Sequence, residues 1–350
     1  MKNVVFVAFF LFSSLFLHSQ TVTLSATGNG DAYSLINSKF APSGDVCETP
    51  DCVHPEAAPH IRQVYDSVLG KYVFAFYAHV HPDNDRCQVF DRQRTEIKTY
   101  AYSAPYMLGY KGDSVRYEWD FFLPAGFKPS SSFTHLHQVK PVDGDDGMPI
   151  FTLTARKGSP NKLELRHNSE TTLKSINLSL IEGKWVHINE IIKVNENAGY
   201  YKITITDKET NASIMSYTSS NYYTIKSGNS FIRPKWGIYR SLLDSTSLRD
   251  EEVRFDNFKI TKFQMSSNVQ PELKKKDRLN VVCADNLLTV TGDFQLDDEL
   301  KYEICNIEGK VLKQQRLSVL ETGFDIDVFD LPSGMYVLRV NDDVVKFYKN

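Results

Sequence analysis

Long apolar runs are nearly missing from this chain of 350 residues. Beyond Leu17 no stretch approaches the ~20 apolar residues that cross a bilayer, so no stable membrane span is expected there. A basic excess is missing too. Lys+Arg number 40 against 43 Asp+Glu, a net charge of −3, whereas nucleic-acid binders ordinarily carry a strong basic bias. Cysteine is scarce, with five residues at Cys47, Cys52, Cys87, Cys283 and Cys305. None forms a Cys-x-x-Cys pair, which argues against a zinc ribbon. The odd count leaves at least one thiol unpaired within the chain. Extended helical periodicity is absent. So is a Glu-x-Asp-x-x-Glu run, which would supply the two carboxylates a glycoside hydrolase needs at fixed separation.

What is present is β-forming and aromatic. Hydrophobic residues make up 41%, charged residues 24% and aromatics 12%, enough to pack a core and avoid wholesale disorder. The opening "MKNVVFVAFFLFSSLFLHSQ" sets one lysine before an apolar run from Val4 to Leu17. That pattern predicts a secretory signal peptide over residues 1–20, cut near Gln20. Export permits disulfides, and "CETPDC" is a polar loop short enough for Cys47 and Cys52 to close on each other.

From 21 to 263, short runs of alternating polarity follow one another, among them "KYVFAFYAHV", "SVRYEWDFFLP" and "YYKITITDKET". Gly, Pro, Asn and Asp punctuate them, which predicts an all-β fold, a two-sheet β-jelly-roll sandwich. Residues 264–280 are polar and lysine-rich and read as a linker. Residues 281–350 alternate again around Glu308-Gly309 and Ser333-Gly334, a small all-β C-terminal module that is more acidic than the rest.

Three strands concentrate polar groups. In "RQRTEIK", period-two alternation puts Arg92, Arg94, Glu96 and Lys98 on one face. In "FTHLHQVK", Thr134, Leu136, Gln138 and Lys140 share one face, with Phe133, His135, His137 and Val139 opposite. A β-bulge there would turn one histidine around. In "RPKWGIYRS", Lys235, Gly237 and Tyr239 oppose Trp236, Ile238 and Arg240. Such a strand is most often a solvated face. Three of them, each with apolar partners behind, suit a groove for an anionic polymer.

The order Arg-Thr-Glu (94–96), His-Gln-Val-Lys (137–140) and Lys-Trp-Gly-Ile-Tyr-Arg (235–240) resembles the jelly-roll polysaccharide lyases. Heparin lyase I and glucuronan lyases are similar at the third motif. Where alginate and heparin lyases place a histidine two residues after the glutamine, this chain has Lys140. In that it resembles the ulvan lyases of polysaccharide lyase family 28. The resemblance implies Lys140 and Tyr239 as the catalytic pair and Gln138 and Arg94 on the uronate carboxylate. It also implies Glu96, Lys98, His137, Lys235 and Arg240 as further substrate-binding residues. Ulvan is the implied substrate. Alginate, glucuronan or a heparin-like polymer are alternatives, as is a non-catalytic polysaccharide-binding surface protein. In the tail, "YEICNIEGKVL" and "DLPSGMYVLRV" resemble C-terminal sorting domains of the type IX secretion system of Bacteroidota. That implies export by this machinery to the medium or the outer cell surface.

The implied chemistry is β-elimination. A guanidinium and an amide neutralise the uronate carboxylate so that the C5 proton can leave. Free lysine and tyrosine titrate at about 10.4 and 10, so either needs nearby cations, with desolvation also helping for lysine, to work near neutrality. Arg94, Lys98 and Lys235 are the expected suppliers. This chemistry requires no cofactor. For a structural calcium, which takes six to eight oxygens, the candidates are Asp256 in "FDNF" and the turn "VDGDDG". His79 and His81, in "YAHVHPDND", are expected in a loop.

Overall fold

Alternating β-formers become strands here because each must bury one side. The computed structural model describes residues 19–100, 102–263, 280–284, 286–291, 299–306, 310–318, 323–341 and 343–349. Apart from residues 19, 20 and 280, the expected leader and linker lie outside the described residues. The chain divides into two units, 1–267 and 268–350.

The first unit holds β1 (Gln20–Leu24), α1 (Ala32–Phe40), β2 (Cys47–Glu48), β3 (Ile61–Asp66), β4 (Lys71–Ala78), β5 (Arg92–Lys98), β6 (Ser114–Phe122) and β7 (Thr134–Val142). It continues with β8 (Phe151–Arg156), β9 (Lys162–His167), β10 (Thr171–Asn177), β11 (Trp185–Lys193), β12 (Gly199–Asp207), β13 (Ser213–Tyr222), β14 (Phe231–Ser241) and β15 (Glu251–Phe263). One sheet runs β13-β12-β11-β6-β15-β4-β3, with β1 also paired to β15; the other runs β10-β9-β8-β7-β14-β5-β2. All ladders are antiparallel. This is the expected jelly-roll sandwich.

Between the sheets lies one apolar core. Trp236, from β14, packs its ring 5.2 Å from Phe258 and 5.8 Å from Trp119 of the opposite sheet. Helix α1 closes one side. Asp31 caps it by accepting from the Ser34 amide, and Ala32, Ile36 and Phe40 recur at one face and are buried. Each large side chain buried this way contributes roughly 1.5–3 kcal/mol, so the core holds the second sheet rigid beneath its other face.

The second unit comprises β16 (Asn280–Ala284), β17 (Leu287–Thr291), β18 (Glu299–Asn306), β19 (Val311–Ser318), β20 (Gly323–Asp327), β21 (Gly334–Val340) and β22 (Asp343–Lys349). They form sheets β16-β17-β20 and β19-β18-β21-β22 around Leu288, Val290, Ile304, Tyr336 and Leu338. Among the described residues no helix is long and apolar enough to cross a membrane.

Candidate active site

The three polar strands are neighbours. β14 lies between β5 and β7, with Tyr239 opposite Arg94, Gly237 opposite Glu96 and Lys235 opposite both Lys98 and Gln138. β14 alternates strictly. Ile232, Trp236 and Ile238 enter the core, while Arg233, Lys235 and Tyr239 face outward. Yet these outward residues are only 9%, 2% and 9% exposed, so the face is a walled recess. Gly237 is required by close approach. Its φ is +144°, and a Cβ there would stand 2.1 Å from the Thr95 carbonyl oxygen.

The floor of the recess is a buried ionic network. Glu96 accepts from Gln138 Nε2 at 2.5 Å and from Arg94 Nη1 at 2.8 Å, and Lys235 Nζ lies 2.8 Å away. Glu48, from β2, binds Lys235 as well as Lys98 Nζ at 2.8 Å and Arg94 Nη1 at 3.2 Å. Burial alone would raise the carboxyl of Glu48. Lys235, Arg94 and Lys98 overcome it and hold the group far below the usual carboxylate range. Glu96, likewise opposed by burial, is lowered by Lys235 and Arg94. Gln138, Glu96, Lys98 and Lys235 are thus brought together, and their polar atoms are largely engaged with one another. The bidentate partner of Arg94 is the protein's own Asp85, at 2.9 and 3.1 Å.

At one end of the recess stands Tyr239. The Arg94 guanidinium lies 3.7 Å from its ring centroid, and its hydroxyl accepts from Arg92 Nη1 at 3.2 Å. His135 is beside it, ring centroids 5.9 Å apart, stacked in turn on Phe133 at 4.9 Å. Burial pushes the His135 imidazole down to about 3. Arg156, Arg94 and Lys235 act the same way and Glu96 opposes them. The imidazole is therefore neutral near pH 7, and its buried Nδ1 has no hydrogen-bond partner.

Lys140 stands at the other end. It pairs with Arg233, six residues before Tyr239 on β14. At ~3.3 Å per residue the two backbone positions are about 20 Å apart along the strand, and the Lys140 ammonium is turned to the 146–147 loop carbonyls, so Lys140 and Tyr239 share a face without converging on one point. The Lys140 ammonium donates to the carbonyls of Asp146 and Gly147. Burial first, then Lys235 and Arg233, bring it down to about 8 against the pull of Asp146. Next to it, Arg233 packs over the Tyr100 ring at 5.2 Å. Two of its buried donors, Nε and Nη1, have no hydrogen-bond partner.

Several expectations need correcting. His137 does not reach the recess. It is buried between the sheets, 2.9 Å from Glu190 and 4.4 Å, centroid to centroid, from Trp119. A bulge in β7 between His135 and His137 sends the two histidines to opposite faces, and His135 is the one on the Tyr239 side. Arg240 also faces inward, as strict alternation requires. It is fully buried, donating to Gln93 and to the carbonyls of Ala78 and Arg249. The disulfide joins Cys52 to Cys87, and Cys47 is free. Asp256 is buried with Lys71 Nζ 2.5 Å from one oxygen and the Ala26 amide on the other, so a cation already occupies its side. In "VDGDDG", Asp143 and Asp145 are bound by Ser230 and Lys226. Glu48 and Asp85 had no motif to flag them, one lying on the two-residue strand β2 and the other in the loop after β4; His135 lay in a singled-out strand, but only the bulge shows that it is the histidine on this face.

Residues 26–259 match the family model described as polysaccharide lyase, and residues 284–350 match that of the secretion system C-terminal sorting domain. No curated protein matches the chain. Among solved structures, the chain is similar to alginate lyase AlgAT5 of polysaccharide lyase family 7, at 13% identity and TM-score 0.41, covering 69% of this chain and 94% of that one. An alginate lyase from Pseudomonas aeruginosa matches at 12% and 0.40, over 60% and 88%. One from Corynebacterium sp. matches at 15% and 0.38, over 69% and 93%. With two thirds of its length matched by one family model, and a type IX sorting domain behind it, the chain belongs to the polysaccharide lyase family.

Proposed function

We propose that the protein is an exported, endo-acting lyase that cleaves a uronate-containing anionic polysaccharide by β-elimination, with ulvan first among the substrates to test. The observation that carries this reading is the Tyr239 end of the recess. There a phenol held by Arg92 and stacked on Arg94 faces a neutral imidazole. The uronate carboxylate docks against Arg92 and Arg156, which keep accessible edges. His135, held neutral chiefly by burial, accepts the C5 proton, and the incoming carboxylate offsets the neighbouring cations and so stabilises the imidazolium that forms. Tyr239, whose oxygen already accepts from Arg92, gives its proton to the departing O4. The C5–H and C4–O bonds break, a C4–C5 double bond forms, and no water is consumed.

Lys140, expected as the base, becomes with Arg233 an anion-binding group several sugars away. Two unpartnered guanidinium donors beside an ammonium suit a sulfate or a second carboxylate, either of which ulvan supplies. The signal peptide over residues 1–20 and the sorting domain would deliver the enzyme outside a bacterium of the Bacteroidota. The test is to incubate the purified chain with ulvan, alginate, glucuronan and heparin and to follow the ultraviolet absorbance of unsaturated uronate. Absorbance on ulvan that Tyr239→Phe and His135→Gln both abolish supports the reading. Retention of all four polymers without cleavage points instead to a binding protein.

A further inference from the structure

Outside the recess, three imidazoles converge on one carboxylate. His54 follows β2, His60 precedes β3, and His79 and Asp83 follow β4. Asp83 is 2% exposed and His60 is fully buried. Asp83 Oδ1 lies 2.6 Å from His54 Nδ1 and 3.2 Å from His60 Nε2; its Oδ2 lies 3.2 Å from His79 Nδ1. One donor atom from each of the four residues falls within 4.8 Å of the others. The rings stand edge to face or tilted, 4.9 to 5.5 Å apart.

We propose that His54, His60, His79 and Asp83 bind a divalent zinc-type ion. Three imidazole nitrogens and one carboxylate oxygen form a tetrahedral donor set that favours zinc over calcium or magnesium, which prefer oxygen. Bonds of about 2.0–2.1 Å would place the four donors just over 3 Å apart; the Asp83 oxygens already stand 2.6 to 3.2 Å from the three rings, and the widest donor pair, within 4.8 Å, would draw together on binding. The surroundings match a metal centre as well. His60 Nδ1 lies 2.5 Å from Asp51 Oδ1, and Asp51 is held by the Tyr33 hydroxyl at 2.7 Å. Such a carboxylate behind a ligating histidine fixes its tautomer and orientation. Both nitrogens of the buried His60 ring face carboxylates, Nδ1 toward Asp51 and Nε2 toward Asp83, so with Nδ1–H donating to Asp51 the Nε2 lone pair is directed into the cluster, where the ion would sit.

The site joins the loop after β2 to the loop after β4, which the Cys52–Cys87 disulfide also links. Two residues past Asp83, Asp85 holds Arg94 beneath Tyr239. The ion therefore acts as a clamp that positions the loop supplying Asp85, remote from the reacting atoms.

The test uses the full purified chain, stripped with a chelator and titrated with zinc chloride, with bound metal measured by elemental mass spectrometry. One equivalent per chain is expected, with a rise in Tm. Cobalt in its place should give the intense visible bands of a tetrahedral centre. His54→Ala/His79→Ala should lose the metal. Asp51→Asn, which leaves all four ligands, should weaken zinc binding by about 10–100-fold. A folded wild type that takes up no zinc, or a double variant that still holds one equivalent, overturns the proposal. These readouts do not depend on which polysaccharide is cleaved, or whether any is.

Discussion

The two ends of β14 differ in how their charges are satisfied. Around Tyr239 the groups are held from several sides: Arg94 by Asp85, Glu96 and Glu48, and Arg92 by Asp91 and the phenol. Among the described residues, the acceptors that hold Lys140 are two loop carbonyls, and Arg233 keeps donors unpaired. The first end is preorganised, as a site must be if its dipoles are to stabilise a transition state without rearranging. The second is under-satisfied in the way that suits gripping a ligand. On the proposed reading, one face of the sheet separates chemistry from binding along the length of β14.

The strongest way to break this contrast is a pair of substitutions. Tyr239→Phe should lower kcat by roughly 10²–10⁴-fold with Tm unchanged, while Lys140→Ala should act mainly on KM. Equal losses of kcat in initial-rate assays would erase the distinction. Next in size is the floor. Glu96→Ala leaves Lys235 and Arg94 short of a buried partner and should cost about 3–5 kcal/mol of stability, seen as a lower denaturant midpoint.

A smaller effect sharpens the picture of His135. Its folded-state value of about 3 lies below the unfolded ~6.5. Its contribution is therefore complete above pH ~6.5 and lost as pH falls toward 3. From pH 6.5 to 4.5 this amounts to about 2 kcal/mol at ~1.36 kcal/mol per unit. His167, also lowered chiefly by burial, adds to the same window. His135→Gln should flatten most of the slope in urea titrations across that range; an unchanged slope would remove His135 from its neutral role.

The smallest effect lies at the far end. Lys140 loses its charge above pH about 8, so KM for an anionic polymer should rise roughly two- to fivefold between pH 7 and 9, the worth of a partly exposed ion pair. Lys140→Arg should hold KM flat over that interval.

How much of this was legible depended on the range of the interaction. Alternation assigned Arg92, Arg94, Glu96 and Lys98 to one face of β5 and Lys235 and Tyr239 to one face of β14, because side-chain direction in a regular strand is a local property. The same rule placed Arg240 inside, and the motif resemblance that set it on the substrate side was the weaker guide. Alternation failed at β7 because a bulge adds a residue without any mark in composition. Glu48 was hidden for a different reason. Nothing in a glutamate on a two-residue strand predicts that it will meet a lysine 187 positions away.

By itself, the sequence determined the sandwich, the separate C-terminal β-unit and the identity of the charged strands, since each follows from period-two patterning or from a contiguous motif. Only the tertiary structure decided which histidine stands beside Tyr239, that Lys140 lies a strand's length away, and that His54, His60, His79 and Asp83 meet. Those are facts of register, bulging and loop closure, set by packing between segments far apart in the chain.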